Sequence, residues 1–386
     1  MKSVVFCDMD MKWLPPYISL MRALQDLGEK PVFIGIEWKN KDMNTSELGF
    51  DVHLVNLPYQ PIAFRKHPLV RIWRDIHKSR CFEANREQIW KEINKIAEGD
   101  EDVLLWTLNT GAMKMLGNRV FLFKKKHIHI CYELEEDLNC NEDFYDGKRF
   151  LQETTFVQCE RNRADIMAGI YHLPRVPFVI SNCPYGTFNE RNMIIEDVEV
   201  GKMINRWDNK FIFLYQGILE SDRDGIVDVL SWICESFPDD IIAIQTHSCS
   251  LNIDKLKSYS NFQIIPPLKA PAHLQVTSHA SVGIAFYIST NINCSPLNAI
   301  FCAPNKIYEY ASFGIPTLGN DIPGLRNTIG LYNAGVCFEE FSKEAVTKAV
   351  KSIKDNYTIY SNNAKEMFKK SNIVDAVDKV IRYVRP

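Results

Sequence analysis

Apolar residues in this chain come in short runs, separated by longer stretches where they recur every three or four positions. Residues 4–7 (VVFC) form the first run. A loop carrying Pro15 and Pro16 is expected next. Tyr17, Leu20, Met21, Leu24 and Leu27 then repeat at helical spacing, and Gly28 stands where a helix C-cap belongs. Residues 31–36, 52–57, 103–106 and 127–131 read as further strands. Short apolar strands alternating with helical stretches predict a parallel sheet with crossover helices.

Proline and turn residues crowd residues 173–186 and predict an interdomain hinge. The alternation then restarts, with strands expected at 211–215, 241–245, 262–265, 282–286 and 315–318. Ile226, Val229, Leu230, Ile233 and Phe237 mark one helix, and residues 303–313, closed by Gly314, mark another. Ile373, Val377, Val380, Ile381 and Val384 give an amphipathic helix at the end. The expected fold is α/β, with two facing Rossmann-like domains, parallel sheets and a cleft between them. The domains are 1–183 and 184–370, with the helix of 371–386 packing back toward the first. In such sheets ligands gather at the C-terminal ends of the strands.

A length of 386 residues suits two or three domains. With 46% hydrophobic and 24% charged residues, the composition excludes a disordered, collagen-like or disulfide-scaffold protein. The net charge of -3 lacks the basic excess of a nucleic-acid binder, so any anion site must be local. The 11 cysteines are odd in number and never spaced C-x-x-C, which suits a reducing cytosol. Residues 1–8 offer too few apolar positions for a signal-peptide core. No run approaches the ~18 apolar residues of a spanning helix. A cytoplasmic protein is expected, peripheral at most at the inner face of a membrane.

The richest stretch is residues 304–316 (PNKIYEYASFGIP), continuing to 320–326 (NDIPGLR). Pro304 suits the first turn of a helix, where its missing N–H costs nothing. The free N–H groups and positive dipole end of such a helix form a seat for a diphosphate. Lys306 adds a formal charge there, and Glu309, one turn on, is placed to accept from a ribose diol. The same spacing equally fits an i,i+3 ion pair between Lys306 and Glu309 on the surface of an ordinary helix.

This stretch resembles the C-terminal motif of GT-B glycosyltransferases, particularly family 4. The resemblance implies that Glu309 holds the ribose of a nucleotide sugar and that the helix start faces its diphosphate. It extends to Tyr215-Gln216-Gly217-Ile218-Leu219 with Arg223 behind, similar to the family's strand–glycine turn and its diphosphate-contacting basic residue. Residues 176–184 (VPFVISNCP) resemble the domain-crossing segment, and Tyr132-Glu133-Leu134-Glu135-Glu136 the acidic motif lining the cleft. By this likeness the first domain binds an acceptor, a glycan or lipid-linked saccharide, and the second a nucleoside-diphosphate sugar. The implied donor-binding set is Gly217, Arg223, Asn305, Lys306 and Glu309. The implied transfer retains anomeric configuration and uses neither metal nor further cofactor. No catalytic residue is singled out; Glu133, Glu135 and Asp10 are the candidates. Phe301 replaces a Glu common eight residues before Glu309, Pro304 a common Gly, and Glu135 a frequent His. A nucleotide-sugar epimerase shares the two-domain architecture and is one alternative; the departures at Phe301 and Glu135 leave another, a non-catalytic sugar-nucleotide-binding subunit.

Other motifs have plainer readings. Asp8-Met9-Asp10 resembles the start of a haloacid-dehalogenase-type phosphatase, but Lys12 stands where Thr or Val is usual. His127 and His129 share a strand face without a third ligand nearby, which favours a structural role. No G-x-G-x-x-G follows the first strand, against a dinucleotide oxidoreductase. Residues 64–80 (FRKHPLVRIWRDIHKSR) place Arg71, Arg74 and Lys78 on one helical face with Trp73 between them. Such a segment suits anionic lipid or a lipid-diphosphate acceptor; a solvated charged face is the commoner explanation.

Overall fold

The computed structural model describes residues 1–10, 15–40, 48–59, 78–123, 125–135, 146–219, 225–287 and 296–385. The chain divides into two compact units: Met1–Ser181 with Ile373–Pro386, and Asn182–Asn372.

Unit 1 is built on β1 (Lys2–Cys7), β2 (Lys30–Ile36), β3 (Asp51–Val55), β4 (Val103–Leu108), β5 (Lys126–Cys131), β6 (Thr155–Gln158) and β7 (Phe178–Val179). The strands are all parallel, in the order β3-β2-β1-β4-β5-β6-β7. Central strands of such a sheet are covered on both faces, so their sequences are nearly unbroken apolar runs. Val4, Val5, Phe6 and Cys7 of β1 are fully buried, as are Leu104, Leu105 and Trp106 of β4.

Helix α1 (Pro15–Asp26) buries Tyr17, Leu20, Met21 and Leu24, the residues that predicted it. Pro15 and Pro16 lie inside its first turn and not in a loop, because the first N–H groups of a helix need no intrahelical partner. Helix α2 is Lys78–Ala97, α3 is Asn109–Leu116 and α4 is Arg161–Ile170. Within the expected hinge, Phe178–Val179 joins the sheet as an edge strand, a position that tolerates the neighbouring prolines.

Unit 2 contains β8 (Ile212–Gln216), β9 (Ile241–Gln245), β10 (Phe262–Ile265), β11 (Val282–Ala285), β12 (Thr317–Asn320) and β13 (Gly335–Phe338). These too are parallel, in the order β10-β9-β8-β11-β12-β13. Its helices include α5 (Gly225–Ser236), α6 (His273–Thr277) and α7 (Asn305–Ser312). The expectation of a helix from 303 is corrected by two residues. Pro304 is the N-cap, with extended backbone at φ -75° and ψ 137°. A residue before proline is steered away from helical angles, so Ala303 cannot begin the helix. Helices α8 (Lys343–Asp355) and α9 (Tyr357–Lys370) escaped the pattern reading.

Helix α10 (Ile373–Val384) belongs to unit 1, where it packs on α1 and buries Ile373, Val377, Val380 and Ile381. Arg385 beyond it pairs with the buried carboxylate of Glu29 and, at 2.7 Å, with Asp102 Oδ1. Among the described residues no helix is long and apolar enough to cross a membrane.

Candidate functional site

In each unit the first strand is central, and the winding reverses beside it, at β1/β4 and at β8/β11. The crevice outside the strand C-termini at such a reversal is where open α/β sheets bind ligands.

In unit 2 the chain leaves β8 through Gly217, at φ 141°. A side chain is strained there by the backbone angle, and a β-carbon, 2.9 Å from Lys306 Nζ, would push the ammonium aside. Lys306 is the second residue of α7. Its ammonium sits 4.3 Å from the ring centre of Tyr215 and 5.6 Å from that of Tyr287, within cation–π range. The start of α7 has no side-chain cap and no acid in its first turn, so its dipole end and Lys306 carry the same sign. Asn305 opens the helix beside Lys306, partly buried.

Glu309, one turn along, is 9% exposed. Among the described residues its carboxylate meets His273 Nε2 on α6, at 3.4 Å from Oε1. The surface ion pair that the spacing allowed is therefore not what forms. Lys306 turns to two aromatic faces, and Glu309 goes inward to a histidine.

A buried amide network fixes this edge. Gln216 Nε2 donates to Gln245 Oε1 at 2.8 Å and to the His273 carbonyl at 3.4 Å. Thr277 Oγ1 donates to Gln216 Oε1 at 2.9 Å, and Gln245 Nε2 to the Pro266 carbonyl at 3.1 Å. His273 was missed by the sequence reading. Its signal was a histidine just after the turn that follows β10, at a strand C-terminus like the other site residues.

In unit 1 the corresponding edge carries Asp8, which follows β1. Its Oδ2 lies 3.5 Å from Lys39 Nζ, and its buried Oδ1 has no hydrogen-bond partner among the described residues. The carboxylate rests against the first turn of α3, where a β-carbon on Gly111 would collide with it. Asn109, at φ 64°, begins that helix; its Nδ2 donates to Tyr17 Oη at 2.5 Å, and its Oδ1 accepts from the Tyr132 N–H at 3.0 Å. Tyr17 and Tyr132 pack ring to ring at 5.5 Å. Tyr132 Oη and Trp38 Nε1 are, like Asp8 Oδ1, buried without a hydrogen-bond partner among the described residues. Native interiors rarely leave such groups unpaired, and here three of them border one strand-end edge.

The acidic segment is held by its backbone. Arg163 Nη1 donates to the Tyr132 carbonyl at 2.7 Å, Gln158 Nε2 to that of Glu133 at 2.9 Å, and Tyr171 Oη to that of Glu135 at 2.7 Å. Glu133 is 60% exposed and lies 3.8 Å from Arg163, while Glu135 accepts from Thr110 Oγ1 at 2.5 Å. Asp10 stands two residues beyond Asp8, partly buried. Arg223, Arg71, Trp73 and Arg74 lie outside the described residues, and Lys78 opens α2. His127 Nε2 and His129 Nδ1 both meet Thr107 Oγ1 at 2.8 Å, which ties the pair into the fold. Burial holds the His129 ring neutral, its pKa down at about 3.

Compared by sequence, the chain matches no family model and no curated protein. Compared by structure, it is similar over its whole length to glycosyltransferases. A glycosyltransferase from Rickettsia africae aligns at 13% identity over 100% of this chain and 97% of that one, with a TM-score of 0.66. Sucrose-phosphate synthase from Thermosynechococcus elongatus aligns at 13% identity over 100% and 99%, with a TM-score of 0.63. HepE from Anabaena, solved in complex with UDP and glucose, aligns at 10% identity over 100% and 99%, with a TM-score of 0.61. The fold is that of the GT-B glycosyltransferases: α/β, with parallel sheets of seven and six strands.

Proposed function

We propose that this chain is a glycosyltransferase, of the family 4 type, that moves a sugar from a nucleoside-diphosphate sugar to a glycan or lipid-linked acceptor. One observation carries the reading. At the C-terminal edge of the unit 2 sheet, the Lys306 ammonium stands against the Gly217 turn at an uncapped helix start, with a buried glutamate one turn below. Those are complementary parts for a diphosphate and a ribose. The likeness to proteins such as HepE, whose structure holds UDP and glucose, supports a nucleotide donor.

In this reading the diphosphate lies across Gly217, Asn305 and Lys306, with Arg223 as a further cation, and Glu309 accepts from the ribose diol. Charge that develops on the departing diphosphate meets donors already in place, which is the largest single contribution such a site makes. A metal is then not required. With retention, the bond from the anomeric carbon to the diphosphate oxygen breaks on the face where the acceptor oxygen bonds. The acceptor proton passes to the departing phosphate, so no side-chain base is needed. The acceptor belongs to unit 1, where Asp8, Trp38 and Tyr132 offer the carboxylate, N–H and O–H groups that recognise sugar hydroxyls.

A thermal-shift series across nucleotides and nucleotide sugars tests the reading. A matching ligand at 100 times its Kd stabilises its unit by about 2.7 kcal/mol. If no nucleotide stabilises the protein, the reading falls. Once the donor is known, NMR of fresh product made in excess chelator is expected to show a retained anomeric centre. An inverted centre would give Glu133, Glu135 or Asp10 the part of a base. Epimerised donor formed without acceptor would make the chain an epimerase, and donor binding without turnover a binding subunit.

A further inference from the structure

The carboxylate of Glu309 is nearly excluded from water, and a buried carboxylate must be paired if it is to stay ionised and available to a ligand. Among the described residues its partner is His273, which lies 36 positions earlier in the chain, on another helix. A carboxylate only accepts, so in this contact the proton sits on Nε2. The other ring nitrogen, Nδ1, is buried without a hydrogen-bond partner among the described residues. The ring is thus committed to Glu309 on one side only.

Its backbone is fixed independently. The His273 carbonyl accepts from Gln216 Nε2 at 3.4 Å and from Thr277 Oγ1 at 3.2 Å, while its N–H donates to the Lys269 carbonyl at 3.2 Å. Gln216 is the last residue of β8, immediately before Gly217. One residue therefore connects the turn assigned to the diphosphate with the acid assigned to the ribose.

We propose that His273 is a positioning residue for nucleotide recognition: its Nε2–H orients the Glu309 carboxylate so that the acid can grip both hydroxyls of the donor ribose. This rests on the nucleotide-sugar reading given above. The alternative is a histidine that merely completes packing at the start of α6. The two differ in what a substitution does to each part of the ligand. A positioning residue matters for the diol and not for the diphosphate. A packing residue would matter for both, since loosening the start of α6 would shift the His273 carbonyl that Gln216, next to Gly217, donates to.

The experiment is calorimetry on the full chain with UDP, 2′-deoxy-UDP and inorganic pyrophosphate, with GDP or ADP and their deoxy forms used instead if the wild type prefers them. His273→Ala is expected to weaken UDP by about tenfold, the scale of a lost hydrogen bond to a charged group. It should weaken 2′-deoxy-UDP by much less and leave pyrophosphate unchanged. His273→Gln, whose amide nitrogen can reach the position of Nε2, should recover most of the loss. His273→Asn, one bond shorter, should not. In a Glu309→Ala background, His273→Ala should have no further effect on UDP. Equal losses for UDP, 2′-deoxy-UDP and pyrophosphate, or no rescue by Gln, would overturn the proposal in favour of packing. Unchanged UDP affinity in His273→Ala would overturn it outright. A wild type that binds no nucleoside diphosphate would instead remove the nucleotide-sugar reading, and the proposal with it.

Discussion

Two sheets in this molecule share one winding, and their ligand-facing edges are chemically opposite. Around β1 and around β8, two strands run to one side and the others to the opposite side. In unit 1 the first strand is followed by an acid, Asp8, whose carboxylate rests against the first turn of α3 and offsets that helix's positive end. In unit 2 the first strand is followed by a glycine, Gly217, the start of α7 carries no acid, and Lys306 adds a positive charge. A crevice that supplies its own anion suits a neutral, hydroxyl-rich partner; one that keeps its positive potential suits an external anion. The same topology can thus be specialised by whichever residue follows the central strand.

The sharpest break between the units is expected from Arg385→Ala. Arg385 is 11% exposed, and the Glu29 carboxylate it pairs with is 1% exposed. Removing one partner of a buried pair costs about 3–5 kcal/mol, because the other charge is stranded. Unit 1 should lose that stability in denaturant titrations, while the unit 2 transition stays in place. A matching shift in both transitions would show that the units do not unfold separately.

Glu309→Ala should weaken the matching nucleoside diphosphate by about 1.5–3 kcal/mol, the range for hydrogen bonds to a charged group. Lys306→Ala should cost more for the diphosphate than for the nucleoside. Calorimetry on both variants, with Asp8→Asn as the unit 1 control, reads the contrast directly. If Asp8→Asn weakens nucleotide binding as much as Glu309→Ala does, the division of labour between the units is wrong.

Gly111→Ala puts a methyl group where the Asp8 carboxylate lies, an overpacking expected to cost unit 1 about 1–3 kcal/mol. Combining it with Asp8→Ala should recover part of the loss, since the two changes share one volume. Additive losses in chemical denaturation would mean that the carboxylate moves aside freely. In transfer assays both single variants should slow turnover with donor affinity unchanged.

A pH slope in unit 1 gives a further contrast. Burial, with the ring of Phe150 against it, pushes the His129 ring down to about 3 from an ordinary value of 6.5 and outweighs the Thr107 contact, which raises it; His127 beside it is lowered as well. The unfolded chain gains a proton below about 6.5 that the folded chain refuses. Stability is therefore full above that pH and falls as pH drops toward 3, by about 1.4 kcal/mol per pH unit. Urea midpoints of unit 1 at pH 7 and pH 5, with His129→Asn as comparison, measure it. Equal slopes in wild type and variant would remove His129 from the account.

Much of this was legible in the residues themselves. The apolar runs of β1, β4, β8 and β9 read as strands covered on both faces, because an unbroken apolar segment has no solvent side and these are too short for helices. The glycine after β8 and the PNKIYE stretch marked a turn and a helix start through backbone constraints that act within a few residues. Local chemistry of that kind does not depend on the rest of the fold. The partner of Glu309 does. Spacing offered Lys306, three residues away, yet the acid meets His273 across a helix–helix approach that only the packed sheet creates. Asp8 likewise stood in the sequence only as the first acid of an Asp-x-Asp after the first strand, until β2 and β4, paired on either side of β1, brought Lys39 and Gly111 to it. The sequence by itself determined ten of the thirteen described strands, all but β6, β7 and β13, and the glycine turn and helix start beside β8, since those follow from side-chain size and backbone freedom. The tertiary structure decided which charges are buried and what they face, because desolvation and pairing depend on residues that meet only after the chain has folded.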